Sequence, residues 1–261
     1  MFGVASVFNS DLSSWDVSRV NNMYGMFAAA SSFNSDLSSW DVSNVRDMNE
    51  MFYNASSFNG DLSMWDTSAV NNMPGMFAEA SSFNGNISSW DTSAVMDMNE
   101  MFCVASSFNG DLSMWDTSAV IDMADMFDSA TAITTVSLLK TGAVTNMFGM
   151  FRNAKSLTTV TLPETGAVMN MGQMFCGCDT VDATGVSAIT TVTLPKTGAV
   201  TDMRSMFLGA TLFNQDIRGW DVDKVQWFDN MFLDATEMES TFKDTPNWTG
   251  ATPTASWFVL P

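Results

Sequence analysis

The residues in this sequence whose type and spacing come nearest to chemistry are rows of aspartates. Asp16, Asp41, Asp66, Asp91 and Asp116 recur at a step of 25 residues in a Trp-Asp-x-Ser run, give way to Ser137, Thr161 and Thr193, and return at Asp221. If each step is one coil of a stack, neighbouring carboxylates stand about 4.8 Å apart, and each ionised pair repels by about 0.9 kcal/mol in water before screening. A cation would relieve that repulsion. Ca²⁺ prefers oxygen ligands but takes about six to eight of them, where a flat row supplies about two to four. Weak Ca²⁺ binding at Asp41, Asp66 and Asp91 is the most that the row offers a metal, and a solvated or partner-facing acidic stripe is the stronger expectation. A second row, Asp11, Asp36, Asp61, Asp111 and Asp216, is interrupted by Asn86, so charge is dispensable there and turn bonding explains it.

Catalysis finds little to work with. Glycoside hydrolysis needs two carboxylates about 5 to 9.5 Å apart in differently tuned environments, whereas here many share one environment and no pair is singled out. The sequence has no histidine, which removes the commonest general base and metal ligand. No catalytic residue is assigned, and the expectation is a protein that is not an enzyme. The pairs Thr135-Ser137, Thr159-Thr161 and Thr191-Thr193 form a short T-x-T hydroxyl array of the kind seen on ice-binding solenoids, although outward threonine on a strand is ordinary. Sequons at Asn54, Asn86 and Asn247 arise easily in so Asn-, Ser- and Thr-rich a chain.

What positions these rows is a repeat. A Met-Phe box falls at Met1, Met26, Met51, Met76, Met101, Met126, Met150, Met174, Met206 and Met231, and a fixed period of this size marks a solenoid. Met48, Met51, Phe52 and Ala55 fall at i, i+3, i+4 and i+7, which reads as one face of a helix of about two turns. The preceding column, Asn22, Asp47, Asn72, Asp97, Asp122, Asn146, Asn170 and Asp202, has the residue types that cap helices. Asn34, Asn59, Asn84 and Asn109 then mark a turn, read as an inward asparagine bonding the backbones of neighbouring coils. A short strand follows, whose alternation puts Trp65 and Thr67 inward and Met64, Asp66 and Ser68 outward. Trp15, Trp40, Trp65, Trp90, Trp115 and Trp220 are thus expected to pack inside rather than form a sugar platform. The fold class expected is an α/β repeat solenoid, with one short strand and one short helix in each coil of about 25 residues.

Residues 1–235 read as one solenoid: tryptophan-type coils over 1–127, TTVTLP-type coils over 128–205 with an insertion near 177–188, and a tryptophan-type coil over 206–235. Residues 236–261, with Trp248, Trp257 and Phe258, read as a C-terminal cap. Met1-Phe2 falls in mid-repeat, which suggests a fragment of something longer or a first coil covered by another subunit. Ten Lys and Arg against 29 Asp and Glu give a formal net charge of −19, which argues against nucleic acid and anionic lipid as partners. No run of eighteen or more apolar residues marks a membrane span, and the residues after Met1 do not read as a signal peptide. Cys103, Cys176 and Cys178 are too few for a disulfide scaffold, and Cys103 and Cys176 lie three coils apart, beyond bridging distance.

The unit MF-x-x-A-S-S-F-N-G-D-L-S-x-W-D-x-S-x-V-x-x-M resembles the repeat of the mycoplasma-lipoprotein-type, BspA-like leucine-rich-repeat surface proteins, and the LTTVTLP variant is similar to the strand of the same broader group. The resemblance covers roughly residues 1 to 235 and implies a leucine-rich-repeat-like solenoid on a cell surface, engaged in adhesion or recognition. It implies no catalytic residues, and no cofactor is expected beyond weak Ca²⁺ binding. The function expected is therefore an extracellular or cell-surface protein that binds a protein or glycan through its strand face. The candidate contacts are Asp16, Asp41, Met64, Asp66, Asp91, Met114, Asp116, Thr159, Thr161, Thr191 and Thr193. The alternative is a structural subunit that self-associates through its end coils into a filament or surface layer, and ice binding is the minor one.

Overall fold

Each coil is tied to the next by backbone hydrogen bonds, and this decides the local structure of the Met-Phe segment. A computed structural model describes residues 1–178 and 187–260. Met23, Gly25, Phe27 and Ala29 donate their N–H groups to Asp47, Asn49, Met51 and Tyr53 of the following coil. The intervening Met26, Ala28 and Ala30 donate three residues back, to Met23, Gly25 and Phe27. The segment is a run of β-turns, not the expected helix. Left-handed residues recur along it, at Glu50 (φ 52°) and Asn54 (φ 52°) in one coil and Gly75 (φ 59°) and Glu79 (φ 60°) in the next. An α-helix would spend every amide after its first four internally, and one of about two turns is too short to stand unaided. Lending every second amide to a neighbour keeps Met48, Met51, Phe52 and Ala55 buried while stitching the stack together.

Among the described residues the only α-helix is α1, Thr236–Phe242. The only strands are β1 (Thr135–Ser137), β2 (Thr159–Thr161) and β3 (Thr191–Thr193), a parallel sheet in the order β1-β2-β3. The tryptophan-type coils have no strand where one was expected. Their parallel pairing runs instead as single bridges through the column read as helix caps, from Asn22↔Asp47 to Asp202↔Trp227. Those side chains do accept an amide two residues on, as Asp47 Oδ1 does from the Asn49 N–H at 3.0 Å. They also bond each other across coils, Asn22 and Asn72 both donating to Asp47. The chain is a repeat solenoid, with the second structural element of each coil supplied by turns.

The interior is a set of stacked columns. Phe27, Phe52, Phe77, Phe102, Phe127, Phe151 and Phe175 stack face to face at 5.5–5.7 Å. A second phenylalanine column, Phe33, Phe58, Phe83 and Phe108, lies beside it, with Phe52 and Phe58 at 3.9 Å within one coil. Trp65, Trp90 and Trp115 stack nearly parallel at 6.3 and 6.5 Å, and each sends its indole N–H to a carbonyl of the preceding coil, Trp65 to Leu37 at 3.1 Å. These tryptophans are buried, so the column packs and bonds rather than presenting a platform; Trp15, in the first coil, is 40% exposed. At the other end Trp257 meets Phe232 edge-on at 5.6 Å, and Phe232 donates its N–H to Ala251, as earlier coils donate to their successors. No helix among the described residues is long and apolar enough to cross a membrane.

Candidate interaction face

The alternation read for the tryptophan segment holds without a strand. Trp65 and Thr67 are buried while Met64, Asp66 and Ser68 are exposed. Thr67 is held inside because its hydroxyl donates to the Asp91 carbonyl of the next coil at 2.9 Å, and Thr92 and Thr117 repeat that bond. The outward residues therefore have little freedom to turn in. Asp16, Asp41, Asp66 and Asp91 lie exposed in one row with Asp116 half-buried at its end, and Met64 and Met114 stand beside them at 80% and 79% exposure.

Each aspartate of the row is fixed by its own turn. Asp41 Oδ1 accepts the Ser43 hydroxyl at 2.6 Å and the Ser43 N–H at 3.1 Å, and Asp16, Asp66 and Asp91 make the same pair of bonds. The hydroxyl bond, followed by the amide bond, holds the carboxyls of Asp16, Asp41 and Asp91 below the usual range. The Asp116 carboxyl falls to about 2, chiefly because Lys140 Nζ lies 2.5 Å away. Asp16, Asp41, Asp91 and Asp116 are thus ionised at neutral pH. In the second row Asp36, Asp61 and Asp111 accept the amide two residues on, as turn bonding requires. Among the described residues no three carboxylates group as a metal site would need, so Asp41, Asp66 and Asp91 do not converge on a common Ca²⁺ position.

The asparagines are a correction. Asn34, Asn59, Asn84 and Asn109 are exposed rather than inward, yet they do bond neighbouring coils: Asn34 Oδ1 accepts the Asn59 N–H at 2.8 Å and Asn59 Oδ1 the Asn84 N–H at 2.9 Å. Lying along the surface lets one side chain reach the next coil's amide, which an inward side chain would face away from. The threonines are brought together as the sequence suggests. Thr135, Thr159 and Thr191 pair in register, as do Ser137, Thr161 and Thr193, giving an outward grid of six hydroxyls around a buried Val136-Val160-Val192 row.

One cluster was missed. On the Met-Phe turn row Arg152 donates to Asp128 at 2.5 and 3.1 Å and to Gln173 Oε1 at 3.1 Å. Its Nη2 also lies 3.1 Å from Asp125 Oδ1, without hydrogen-bond geometry, so that oxygen is buried with no hydrogen-bond partner. Burial pushes the Asp125 carboxyl up to about 6 against the pull of Arg152. Burial likewise pushes the Cys103 thiol up to about 12, which leaves it unreactive. Asp128 and Arg152 occupy one column in successive coils, the signal that would have found the pair. With three acceptors around it, Arg152 serves the stack rather than a ligand. Cys176 and Cys178 form a disulfide at the start of the insertion, whose residues 179–186 lie outside the described residues.

The model of a family described as "Mycoplasma protein of unknown function, DUF285" matches the chain three times, over residues 1–88, 60–164 and 157–258, and the chain belongs to that family. No curated protein matches it. Among solved structures it is similar to a chain in one titled "Crystal structure of TLR13-ssRNA13 complex", at 12% identity and a TM-score of 0.31. That similarity covers 84% of this chain and 33% of the other, so the chain spans about a third of the length of that neighbour.

Proposed function

We propose that this family member is a non-enzymatic, extracellular or cell-surface recognition protein, whose aspartate and methionine face binds a protein partner bearing basic side chains. One observation carries the reading: from Asp47 to Leu139 the sequence holds no lysine or arginine, while Asp61, Asp66, Asp91, Asp111 and Asp116 project from successive coils there. Such a face attracts cations over its whole length, and a basic protein can match it with many modest contacts. Met64 and Met114 add soft apolar contact between the charges. The likeness of the repeat to BspA-like leucine-rich-repeat surface proteins supports the surface location and the adhesive role. A glycan fits less well, because the exposed tryptophans that would stack on sugars are lacking between Trp40 and Trp115.

The test is calorimetric titration with a lysine-rich peptide at two salt concentrations. The triple variant D41N/D66N/D91N is expected to weaken binding about tenfold, the equivalent of about 1.4 kcal/mol. The control E50Q/E79Q/E100Q removes equal charge from the Met-Phe turn row and should weaken it much less. Equal losses in the two variants would reduce the attraction to net charge and overturn the reading.

A further inference from the structure

The three-stranded sheet has two ends, and the chain treats them differently. Beyond β3, the next coil is of the tryptophan type and offers no strand. There the side chain of Gln215 takes the place of one: its Oε1 accepts the Val192 N–H at 2.9 Å and its Nε2 donates to the Val192 carbonyl at 2.9 Å. A primary amide carries the same donor and acceptor as a peptide group, so it closes the strand edge.

Before β1 the neighbouring coil is again of the tryptophan type. Strand alternation fixes which peptide groups face it. Leu138 donates its N–H to Thr161 of β2, so Val136 points the same way and the peptide groups of Thr135 and Ser137 point back towards Gly110–Leu112. The corresponding groups further along are paired: Thr191 donates to Thr158, and Thr193 accepts from Leu162. No backbone hydrogen bond joins β1 to Gly110–Leu112. A pocket of 180 Å³ lies between them instead, lined by Gly110, Asp111, Leu112, Thr135 and Ser137 among others. Asn109 Oδ1 closes one end by accepting the Thr134 N–H at 3.1 Å. In the repeat, Asn109-Gly110-Asp111-Leu112 aligns with Asn214-Gln215-Asp216-Ile217, but a side chain in this column reaches the preceding coil, as Gln215 reaches Val192, so residue 110 does not close the β1 edge.

We infer that this pocket receives the side-chain carboxamide of a glutamine or asparagine from a partner chain. The edge groups of Thr135 and Ser137 hold it as Val192 holds Gln215. The chemistry is selective. A carboxylate brings only acceptors to an edge that also presents carbonyls, and it would face Asp111; an aliphatic chain would leave the peptide groups unpaired.

The experiment is a ¹⁵N NMR titration of the full chain with N-acetyl-glutamine methylamide, alongside its glutamate and norleucine counterparts, which share the same backbone amides. Only the glutamine probe is expected to shift the Thr135 and Ser137 amides. Independently, Q215A should open a second response at the Val192 amide. Equal shifts with the norleucine probe, no shift with any probe, or no new response at the Val192 amide in a folded Q215A would each overturn the inference.

Discussion

At the scale of single residues, Asp125 is where local forces oppose one another most sharply. Its carboxylate lies beside Arg152, which favours ionisation, yet it shares that guanidinium with Asp128 and is buried under Gly149, whose missing side chain makes the room. Desolvation wins, and the carboxyl rises to about 6 from an ordinary value of 3.8. The sign follows from linkage. A group whose folded pKa is raised contributes stability that is complete below the unfolded pKa and is lost as pH climbs through the folded one. Asp125 therefore penalises the folded state increasingly between about pH 4 and 6, while Asp16, Asp41, Asp91 and Asp116, whose carboxyls are lowered, favour folding above about pH 4. D125N removes only the first effect. The melting temperature of the wild type relative to D125N should fall as pH rises from 4 to 6.5 and then level off. A pH-independent difference would mean that Asp125 stays ionised throughout.

At the scale of elements, the Met-Phe segment poses a question that one substitution answers by its sign. Gly75 would be an interior residue of the helix that the Met73, Met76, Phe77 and Ala80 pattern suggests, and in a helix Gly→Ala stabilises by about 1 kcal/mol. In the run of turns Gly75 has φ 59°, where a side chain costs roughly 1–2 kcal/mol. G75A is thus expected to destabilise by about 1 kcal/mol in a denaturant titration, and stabilisation would restore the helix. The sequence shows which residues point inward because burial periodicity is the same for both structures: Met48, Met51, Phe52 and Ala55 are buried either way. It does not show the hydrogen-bond partners. Whether Phe27 donates four residues back or to Met51 of the next coil depends on stacking, and only the recurring Gly25, Gly75, Gly149 and Gly209 hint at the left-handed turns. The outward row from Asp16 to Asp116 was legible for the same reason as the core, since alternation survives the loss of the strand. The Arg152 cluster was hidden because a 25-residue repeat draws attention to what recurs, and its members depart from the repeat.

At the scale of the whole molecule, the repeat that builds the core also builds the charge problem, because stacking multiplies every column. An aspartate tolerable once per coil becomes a row whose members repel their neighbours, and the net charge reaches −19. Serine donors hold these carboxylates in place without neutralising them, and a cation pairs with the row only at its end, where Lys140 meets Asp116. The stack then carries an electrostatic strain that salt can screen. With a Debye length of about 10 Å at 0.1 M, interactions between coils three or more apart are largely screened while nearer neighbours still interact. The melting temperature should therefore rise from 10 to 150 mM NaCl, most steeply at the low end, and D41N/D66N/D91N should flatten that dependence. Sodium and tetramethylammonium chlorides should act alike, because screening depends on ionic strength and not on the cation. A rise confined to Ca²⁺ at matched ionic strength would instead mean that the row collects ions specifically, which the dispersed carboxylates of this face are not built to do.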